Sequence, residues 1–365
     1  MFKLMFRVRR PAILCLTTAS LLNTTDPSNG LFRRHSSTFG TIIGDKASQI
    51  PEPALAAIAS RIPEAKQRYI GDIHQLEPHA RCQRTSNPAI YGARSVMNVL
   101  VGAATVPVSL LVTTFRAHPA LNALPNLVAY DGTLLNGTGP ESRQLLLSAM
   151  QFHTPEVPFM FLNVAAQSTT AASRLHFNTD EVNACVRLIE LLLGKRIQPD
   201  QICVISFYKE QSRHLQSRFD QLGVELTTVN SLQGCEKEVV ILLTTRTNFS
   251  ADSADFLDDY RRVNVATTRS RHGQFILDNA ESLTTVPFWR RILDWAASLN
   301  AIVPVSTLEW CFFRKHRISV QTNKQTDRQP DKQKNRQTDR QTDASALYAY
   351  SKECLLTFDH IARRL

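Results

Sequence analysis

The chain has 365 residues, of which 43% are hydrophobic, and its 42 Lys and Arg residues outnumber 32 Asp and Glu residues to give a formal net charge of +10. This length suits two domains, and the apolar fraction excludes a wholly disordered or collagen-like chain. The seven cysteines are scattered and odd in number, which argues against a disulfide framework and a cysteine-rich zinc site. No apolar run is long enough to cross a bilayer, which predicts no membrane partner, and the basic charge favours a polyanion such as nucleic acid.

The first residues allow two interpretations. Four basic side chains lie within the first ten positions, and an apolar stretch follows over residues 13–22. This arrangement fits an N-terminal organelle-targeting or secretory signal. The Thr and Ser residues within the stretch fit equally a buried strand over residues 13–18 with its exit turn. The cysteine pattern favours a reducing compartment, either cytoplasmic or nuclear.

Apolar runs alternate with helix-like segments through the middle of the chain. Predicted strands cover residues 41–44, 68–71, 158–164, 202–207, 226–229, 239–245 and 274–277. Predicted helices cover residues 53–61, 180–193 (capped by Thr179), 209–222, 258–268 and 287–299. The strands are apolar without strict alternation, as in strands covered on both faces. The order strand, helix, strand predicts an α/β fold with parallel sheets flanked by helices, and such sheets place functional loops at the carboxyl ends of their strands.

Several sequence blocks fall at these predicted strand ends. They read TIIGDKASQIPEP from Thr41, YIGDIHQLEP from Tyr69, TTFRAHPAL from Thr113, and the pair TVNSLQGCEKEVVILLTTR from Thr228 and RRVNVATTRSRHGQFILDN from Arg261. In this order they resemble the superfamily 1 helicases, in the branch that contains the nonsense-mediated-decay RNA helicase and its DNA-acting relatives. The resemblance covers about residues 11–299. It implies two RecA-like domains of the P-loop NTPase fold, ATP and magnesium as cofactors, and hydrolysis coupled to movement along single-stranded RNA or DNA.

The resemblance assigns the magnesium site to Asp45. Relatives read Asp-Glu-Ala-Ser after this strand, whereas this chain reads Asp-Lys-Ala-Ser, with Lys46 at the position of the catalytic Glu. A carboxylate oxygen of Asp45 suits magnesium, but an ammonium group cannot accept the proton of the attacking water. Loss of a positioned base typically costs about 10²- to 10⁴-fold in rate. Lys46 is therefore interpreted as a degraded catalytic position, and the alternative is a simple surface Lys at a strand end.

The next block resembles the motif that couples the nucleotide to the nucleic-acid path. The resemblance implies that Gln75 senses the terminal phosphate and that Asp72 contacts the cofactor. Gly71 is expected to let the backbone turn sharply at the strand end. An isolated glutamine in a loop would not indicate a function. The functional assignment of Gln75 depends on its place in the string Gly-Asp-x-x-Gln-Leu.

Two arginines resemble arginine fingers that the second domain directs at the terminal phosphate. They are Arg116 in Phe-Arg-Ala-His-Pro and Arg269 in Ala-Thr-Thr-Arg-Ser-Arg. Planar guanidinium groups match phosphate oxygens better than ammonium groups do. Such a finger is worth roughly 10³ to 10⁵ in rate. The alternative for each is a surface ion pair with an acid such as Asp258 or Asp259.

Two further blocks resemble motifs that contact the nucleotide sugar and the bound strand. Gln233, Gly234 and Glu236 match the first, and the resemblance assigns Gly234 and Glu236 to the nucleotide and Gln233 to the strand as well. Tyr208 and Lys209 match a block that approaches the nucleic-acid backbone, where Tyr208 would stack on a base and Lys209 would meet a phosphate. Packing of Tyr208 into the core is the alternative.

The 365 residues contain no Gly-x-x-x-x-Gly-Lys-Ser/Thr phosphate loop. In the family this loop precedes the strand that residues 13–18 resemble, so we expect a truncated first RecA-like domain over residues 1–107 and a complete second domain over residues 108–300. Residues 301–365 are expected to form a tail with a disordered Gln, Thr, Asp and Arg repeat at 321–343. Exposed edges of a truncated domain would need a protein partner. The chain alone is expected to bind ATP poorly and to be inactive; the alternatives are a non-catalytic nucleic-acid-binding or scaffold protein and a fragment of a full-length helicase.

Overall fold

The structure is a computed structural model that describes residue 8 and residues 11–80, 82, 86–104, 106–231, 236–250, 254–313 and 354–358. These residues form two large sheets with their own helices, which we name the first unit and the second unit. Two small two-stranded sheets, Thr113–Thr114 with Leu135–Asn136 and Thr169–Thr170 with His176–Phe177, belong to the second unit. The predicted repeat at 321–343 lies outside the described residues. Among the described residues, the cysteines Cys15, Cys82, Cys185, Cys203 and Cys311 are free thiols. None of the helices in these ranges has the length and apolar character needed to span a bilayer.

The first unit contains a four-stranded sheet. Its elements are α1 (Thr18–Thr24), β1 (Thr41–Gly44), α2 (Glu52–Arg61), β2 (Lys66–Gly71), α3 (Asn87–Gly92), α4 (Val96–Ala103), β3 (Val108–Leu110) and the late strand β14 (Cys354–Phe358). β1 and β2 run parallel, as predicted. β14 lies between β2 and β3 and is antiparallel to both. The first sheet is therefore mixed rather than fully parallel.

The second unit contains a six-stranded sheet in the order β10, β9, β11, β12, β6, β13. Its elements are β4 (Thr113–Thr114), α5 (Pro119–Val128), β5 (Leu135–Asn136), α6 (Leu145–Ala149), β6 (Phe159–Asn163), β7 (Thr169–Thr170), β8 (His176–Phe177), α7 (Thr179–Gly194), β9 (Ile202–Ser206), α8 (Lys209–Leu222), β10 (Glu225–Thr228), β11 (Lys237–Leu243), α9 (Tyr260–Thr267), β12 (Ser270–Asp278), α10 (Ala280–Leu283), α11 (Pro287–Ser298), β13 (Ile302–Pro304) and α12 (Leu308–Phe313). Every strand pair in this sheet is parallel, which confirms the predicted α/β architecture.

Helices cover both faces of the second sheet. On β11, Val240 and Leu242 pack in the cluster that includes residues of α5, α9 and α11. Their neighbours Val239 and Ile241 pack in the opposite cluster, with residues of α7 and α8. Because both faces are covered, the central strands contain consecutive apolar residues, such as residues 239–243 of β11, instead of an alternating pattern.

The loop after β1 packs tightly against the end of β2. Gly71 does not adopt the left-handed backbone conformation, so a sharp turn is not what requires glycine there. A Cβ at Gly71 would instead lie 2.9 Å from the backbone N of Ser48 and 3.0 Å from that of Ala47. The close approach of these two backbones fixes the segment that carries Asp45 and Lys46 against the segment that leads to Asp72.

Two local expectations differ from the structure, and both sheets extend past the predicted domain boundaries. Residues 13–17 are not a strand, and α1 begins at Thr18 because the Thr17 side chain accepts a hydrogen bond from Ser20 N. The cap of α7 is Asn178 instead of Thr179, since the Asn178 side chain accepts from Asp180 N and Glu181 N. The second sheet extends past the predicted boundary at residue 300, because β13 pairs with β6. The first sheet likewise extends past residue 107 through β3.

Candidate functional site

The loop after β2 is organised around the carboxylate of Asp72. The Asp72 Oδ1 atom accepts a hydrogen bond from the backbone N of His74 at 2.9 Å. Its Oδ2 atom accepts one from the Tyr130 hydroxyl at 2.6 Å and one from Gln75 Nε2 at 3.0 Å. Asp72 is only 5% exposed. Both of its oxygens are therefore engaged within the protein, and the carboxylate orders the loop.

Burial shapes the electrostatics of this carboxylate. It raises the pKa of Asp72 above its usual value, and the hydrogen bonds from Tyr130 and His74 oppose this shift. Burial, together with the neighbouring Asp72 charge, raises the pKa of Tyr130 well above its usual value. The Tyr130 hydroxyl therefore stays protonated and donates to Asp72 at neutral pH.

Arg269 connects the second unit to this loop. It lies between α9 and β12, where its Nε atom donates to the Val265 carbonyl at 2.8 Å. One of its terminal guanidinium nitrogens donates to Gln75 Oε1 at 3.2 Å. Arg269 is 3% exposed. The structure thus brings together two residues that the sequence blocks placed 194 positions apart, as expected for a site between two units.

Arg116 lies beside Arg269. Its Nε atom is 2.8 Å from a carboxylate oxygen of Glu236, and one terminal nitrogen donates to the Thr268 carbonyl at 3.1 Å. Arg116 thus does form an ion pair with an acid, as in the alternative interpretation, but this acid is Glu236, and Asp259 pairs with Arg262 at 3.4 Å. Arg116 is 9% exposed, whereas 42% of the Glu236 side chain remains exposed. Glu236 therefore holds Arg116 against the segment that leads to Arg269. We call the boundary between the two units around Gln75 and Arg269 the cleft.

Asp45 and Lys46 lie at the end of β1, the strand next to β2, and both are exposed. Asp45 Oδ1 accepts a hydrogen bond from the backbone N of Lys46 at 2.8 Å. Lys46 has a left-handed backbone conformation with φ 51° and ψ 42°, which residues other than Gly, Asn and Asp rarely adopt. Within the described ranges, no three His, Cys, Asp or Glu side chains are grouped to hold a metal ion. Asp45 is a single exposed carboxylate, and a magnesium ion in proteins usually binds one or two carboxylates, several waters and substrate phosphates.

The predicted nucleic-acid residues lie at the end of β9. Tyr208 is 8% exposed and its ring packs edge-on against His176, with 5.7 Å between ring centroids. The core-packing alternative therefore describes Tyr208 in this structure. Lys209 begins α8 and is exposed. Gln233 and Gly234 lie outside the described residues.

Two residues of the site were not singled out from the sequence. Asn264 in α9 is fully buried, and its Nδ2 atom donates to the His74 carbonyl at 2.9 Å and to the Tyr130 hydroxyl at 3.0 Å. The block RRVNVATTR contains Asn264, so its position beside Arg269 was a usable signal. Tyr130 stands outside every block, and no spacing in the sequence points to it.

The chain is similar to one described protein family and to several known proteins. The family described as AAA domain matches residues 93–281, more than half of the chain. The chain belongs to this family. "Regulator of nonsense transcripts 1" of Dictyostelium discoideum is 28% identical over 307 residues, which are 81% of this chain and 22% of that protein. "ATP-dependent helicase NAM7" of Saccharomyces cerevisiae is 29% identical over 272 residues, 72% of this chain and 27% of that protein.

These similarities identify the chain as a member of the nonsense-mediated-decay branch of the superfamily 1 helicases, with the RecA-like fold of that branch. The match to the AAA domain family covers Arg116, Tyr130, Asn264 and Arg269. The crystal structure of arterivirus nonstructural protein 10, a helicase, is also similar, with 17% identity, 67% of this chain and 40% of that chain covered, and a TM-score of 0.34. The chain spans about a quarter of the length of the two curated relatives.

Proposed function

We propose that the two units form the terminal-phosphate side of a helicase-type nucleoside-triphosphate site, and that nucleotide occupancy of this site is coupled to the binding of a single strand of RNA or DNA. The observation that carries this proposal is the 3.2 Å contact between Arg269 and Gln75 across the units. A sensor on one unit in contact with an arginine on the other is an arrangement that a phosphate between them would change. The family membership supports the same assignment.

The side chains at the cleft fit a polyphosphate with a magnesium ion. Arg269 contacts Gln75, Arg116 contacts the carbonyl of Thr268 next to Arg269, and guanidinium forks suit phosphate oxygens. Asp45 retains one carboxylate oxygen that is not bonded to the Lys46 backbone. Bound ATP with magnesium supplies the transferable phosphoryl group. In this proposal Arg269 and Arg116 bind the negatively charged phosphates, and Asp45 orients the metal. Gln75 changes its contact with Arg269 when the phosphate is bound, and this alters the loop after β2.

We further propose that hydrolysis is impaired in this chain. Lys46 takes the position at which relatives carry the catalytic Glu, and its ammonium group cannot accept a proton from water at neutral pH. The missing base predicts a loss of about 10²- to 10⁴-fold in rate. The 365 residues also contain no phosphate-loop string, so weak affinity for ATP is expected.

The test measures the affinity of the 365-residue chain for a fluorescent single-stranded oligonucleotide by anisotropy, with and without ATP and magnesium. We expect ATP to change the affinity for the strand, and we expect Arg269→Ala to abolish this change while leaving the ATP-free affinity intact. Arg290→Ala is the control, since Arg290 is an exposed arginine of α11. An ATP effect that survives Arg269→Ala would refute the assignment. Strand-stimulated phosphate release by the unmodified chain would refute the impairment.

The second candidate is a binder of single strands that does not respond to nucleotide. The net charge of +10 and the exposed Lys209 at the end of β9 favour it. It predicts that strand affinity falls steeply with salt, because neutralised phosphates release counterions. The same anisotropy experiment separates the two candidates: an affinity that depends on salt but not on ATP supports the second one. An affinity that is indifferent to salt would count against both.

A further inference from the structure

Besides the contact between Gln75 and Arg269, four contacts tie the loop after β2 to the second unit. Asp72 accepts from Tyr130, and the His74 carbonyl accepts from Asn264. Arg261 adds two more: its Nε atom donates to the Ile73 carbonyl at 3.3 Å, and a terminal nitrogen lies 3.0 Å from a carboxylate oxygen of Glu77. The Arg261 and Glu77 side chains are each 25% exposed. The contact between Tyr130 and Asp72 is buried, the contact between Asn264 and the His74 carbonyl is partly buried, and the ion pair is partly screened by solvent.

Asn264, Tyr130 and Asp72 form one directed and buried chain of hydrogen bonds. Asn264 donates to the Tyr130 oxygen, and the Tyr130 hydroxyl proton goes to Asp72. Tyr130 is 2% exposed and Asn264 is fully buried. The Asn264 Oδ1 atom has no hydrogen-bond partner among the described residues. A buried polar network of this kind is costly to leave half-made, so loss of one donor weakens the whole chain.

This chain of hydrogen bonds also decides which end of the Gln75 amide faces the cleft. An ionised carboxylate only accepts hydrogen bonds, so Asp72 selects the NH₂ end of the Gln75 amide. The carbonyl end, Oε1, is then turned toward Arg269, whose guanidinium group only donates. With Asp72 displaced, the amide would lose the partner that distinguishes its two ends.

We propose that Tyr130 is a positioning residue which, together with Asn264, holds the loop after β2 on the second unit and orients Gln75 toward Arg269. The role of Tyr130 is mechanical and does not require contact with any ligand. An effect of Tyr130 on the response to nucleotide rests on the proposed function, whereas the attachment of the loop to the second unit does not. The two roles call for separate measurements.

The first measurement is hydrogen exchange by mass spectrometry on the ligand-free chain. Tyr130→Phe keeps the ring and removes the hydroxyl. We expect exchange in the peptide covering residues 72–77 to rise about tenfold, as a lost hydrogen bond to a charged group implies. Peptides from β11 and β12 should keep their exchange rates, and Tyr91→Phe, at an exposed tyrosine of α3, should change nothing.

Two outcomes would overturn the positioning role. One is unchanged exchange at residues 72–77 in Tyr130→Phe. The other is a uniform rise that includes β11 and β12, because Tyr130 would then stabilise only the fold. Asn264→Leu provides a second variant of similar volume that removes the donor to Tyr130 and to the His74 carbonyl. It should raise exchange in the same peptide and nowhere in the second sheet.

The second measurement is the rise in the unfolding midpoint that ATP and magnesium produce, which detects even weak ligands. We expect Tyr130→Phe and Gln75→Ala each to reduce this rise, and the double variant to reduce it no further than Gln75→Ala alone. Independent, additive losses would show that Tyr130 does not act through Gln75. If the unmodified chain shows no rise at all, the proposed nucleotide site fails, and the exchange experiment still decides whether Tyr130 holds the loop.

Discussion

Replacement of Asp278 by Asn should change how the stability of the second unit depends on pH. Asp278 ends β12 and is fully buried; Thr244 donates to its Oδ2 atom and the backbone N of Asn279 donates to Oδ1 at 2.7 Å. Glu181, also fully buried, lies in the first turn of α7 and accepts from the Thr245 backbone and hydroxyl at 3.0 and 2.7 Å. Burial raises the pKa of Asp278 to about 7. Burial and the Asp278 charge raise the pKa of Glu181 well above its usual value.

The direction of the effect follows from the raised pKa values. An acid whose pKa is higher in the folded than in the unfolded chain stabilises the fold below its unfolded pKa, and this contribution is lost as the pH rises through the folded pKa. For Asp278 the window runs from its ordinary value of 3.8 to about 7. Each pKa unit corresponds to about 1.4 kcal/mol, so the free energy of unfolding should fall by about 2 to 3 kcal/mol between about pH 5 and about pH 8. Glu181 shifts in the same direction and adds to the loss.

Asp278→Asn is expected to flatten this decline. The amide oxygen still accepts from Asn279 N, and the amide NH₂ donates to the Thr244 hydroxyl, which also has lone pairs to accept. Urea unfolding at a series of pH values measures the effect, with Asp220→Asn, at an exposed acid of α8, as the control. The free energy of unfolding of Asp278→Asn, relative to that of the unmodified chain, should increase as the pH rises. Parallel curves for the two proteins would refute the reasoning.

Two other substitutions test the neighbourhood of the cleft. Gly71→Ala should destabilise the first unit by about 1 to 3 kcal/mol in thermal unfolding, because the added Cβ would meet the backbone of Ala47 and Ser48. Gly102 in α4 has open space around it, so Gly102→Ala should be neutral or slightly stabilising in the same assay. Equal losses of stability in the two variants would contradict the packing argument. Glu236→Gln removes the charge that pairs with Arg116 and should increase the midpoint rise caused by ATP and magnesium; a decrease would show that the pair itself serves the site.

The elements of the second unit follow closely from local patterns. The helix predicted at 209–222 coincides with α8, and the apolar run at 202–207 contains β9. A buried parallel strand needs apolar residues on both faces, so a short run such as ICVIS is a strong signal in the sequence. The cap of α7 was misassigned by one residue because Asn178 and Thr179 both have side-chain oxygens that suit a cap.

The parts that escaped prediction depend on contacts between distant residues. Tyr130 and Asp72 are 58 positions apart, and nothing in either local segment records that their side chains meet. The Arg116 ion pair with Glu236 likewise joins residues 120 positions apart. The position of β14 between β2 and β3 depends on pairing across more than 240 positions. The family resemblance assigned Gln75 and Arg269 to the same phosphate, but their direct contact was not predicted.

The response of the unfolding midpoint to ATP and magnesium in Arg269→Ala tests the central claim most directly. Arg269 donates to Gln75 across the two units, and it is the group that would exchange this contact for a phosphate oxygen. Loss of a charged hydrogen bond should weaken the response by about tenfold in affinity, while Arg290→Ala should retain it. An Arg269→Ala chain that responds to ATP as the unmodified chain does would contradict the account.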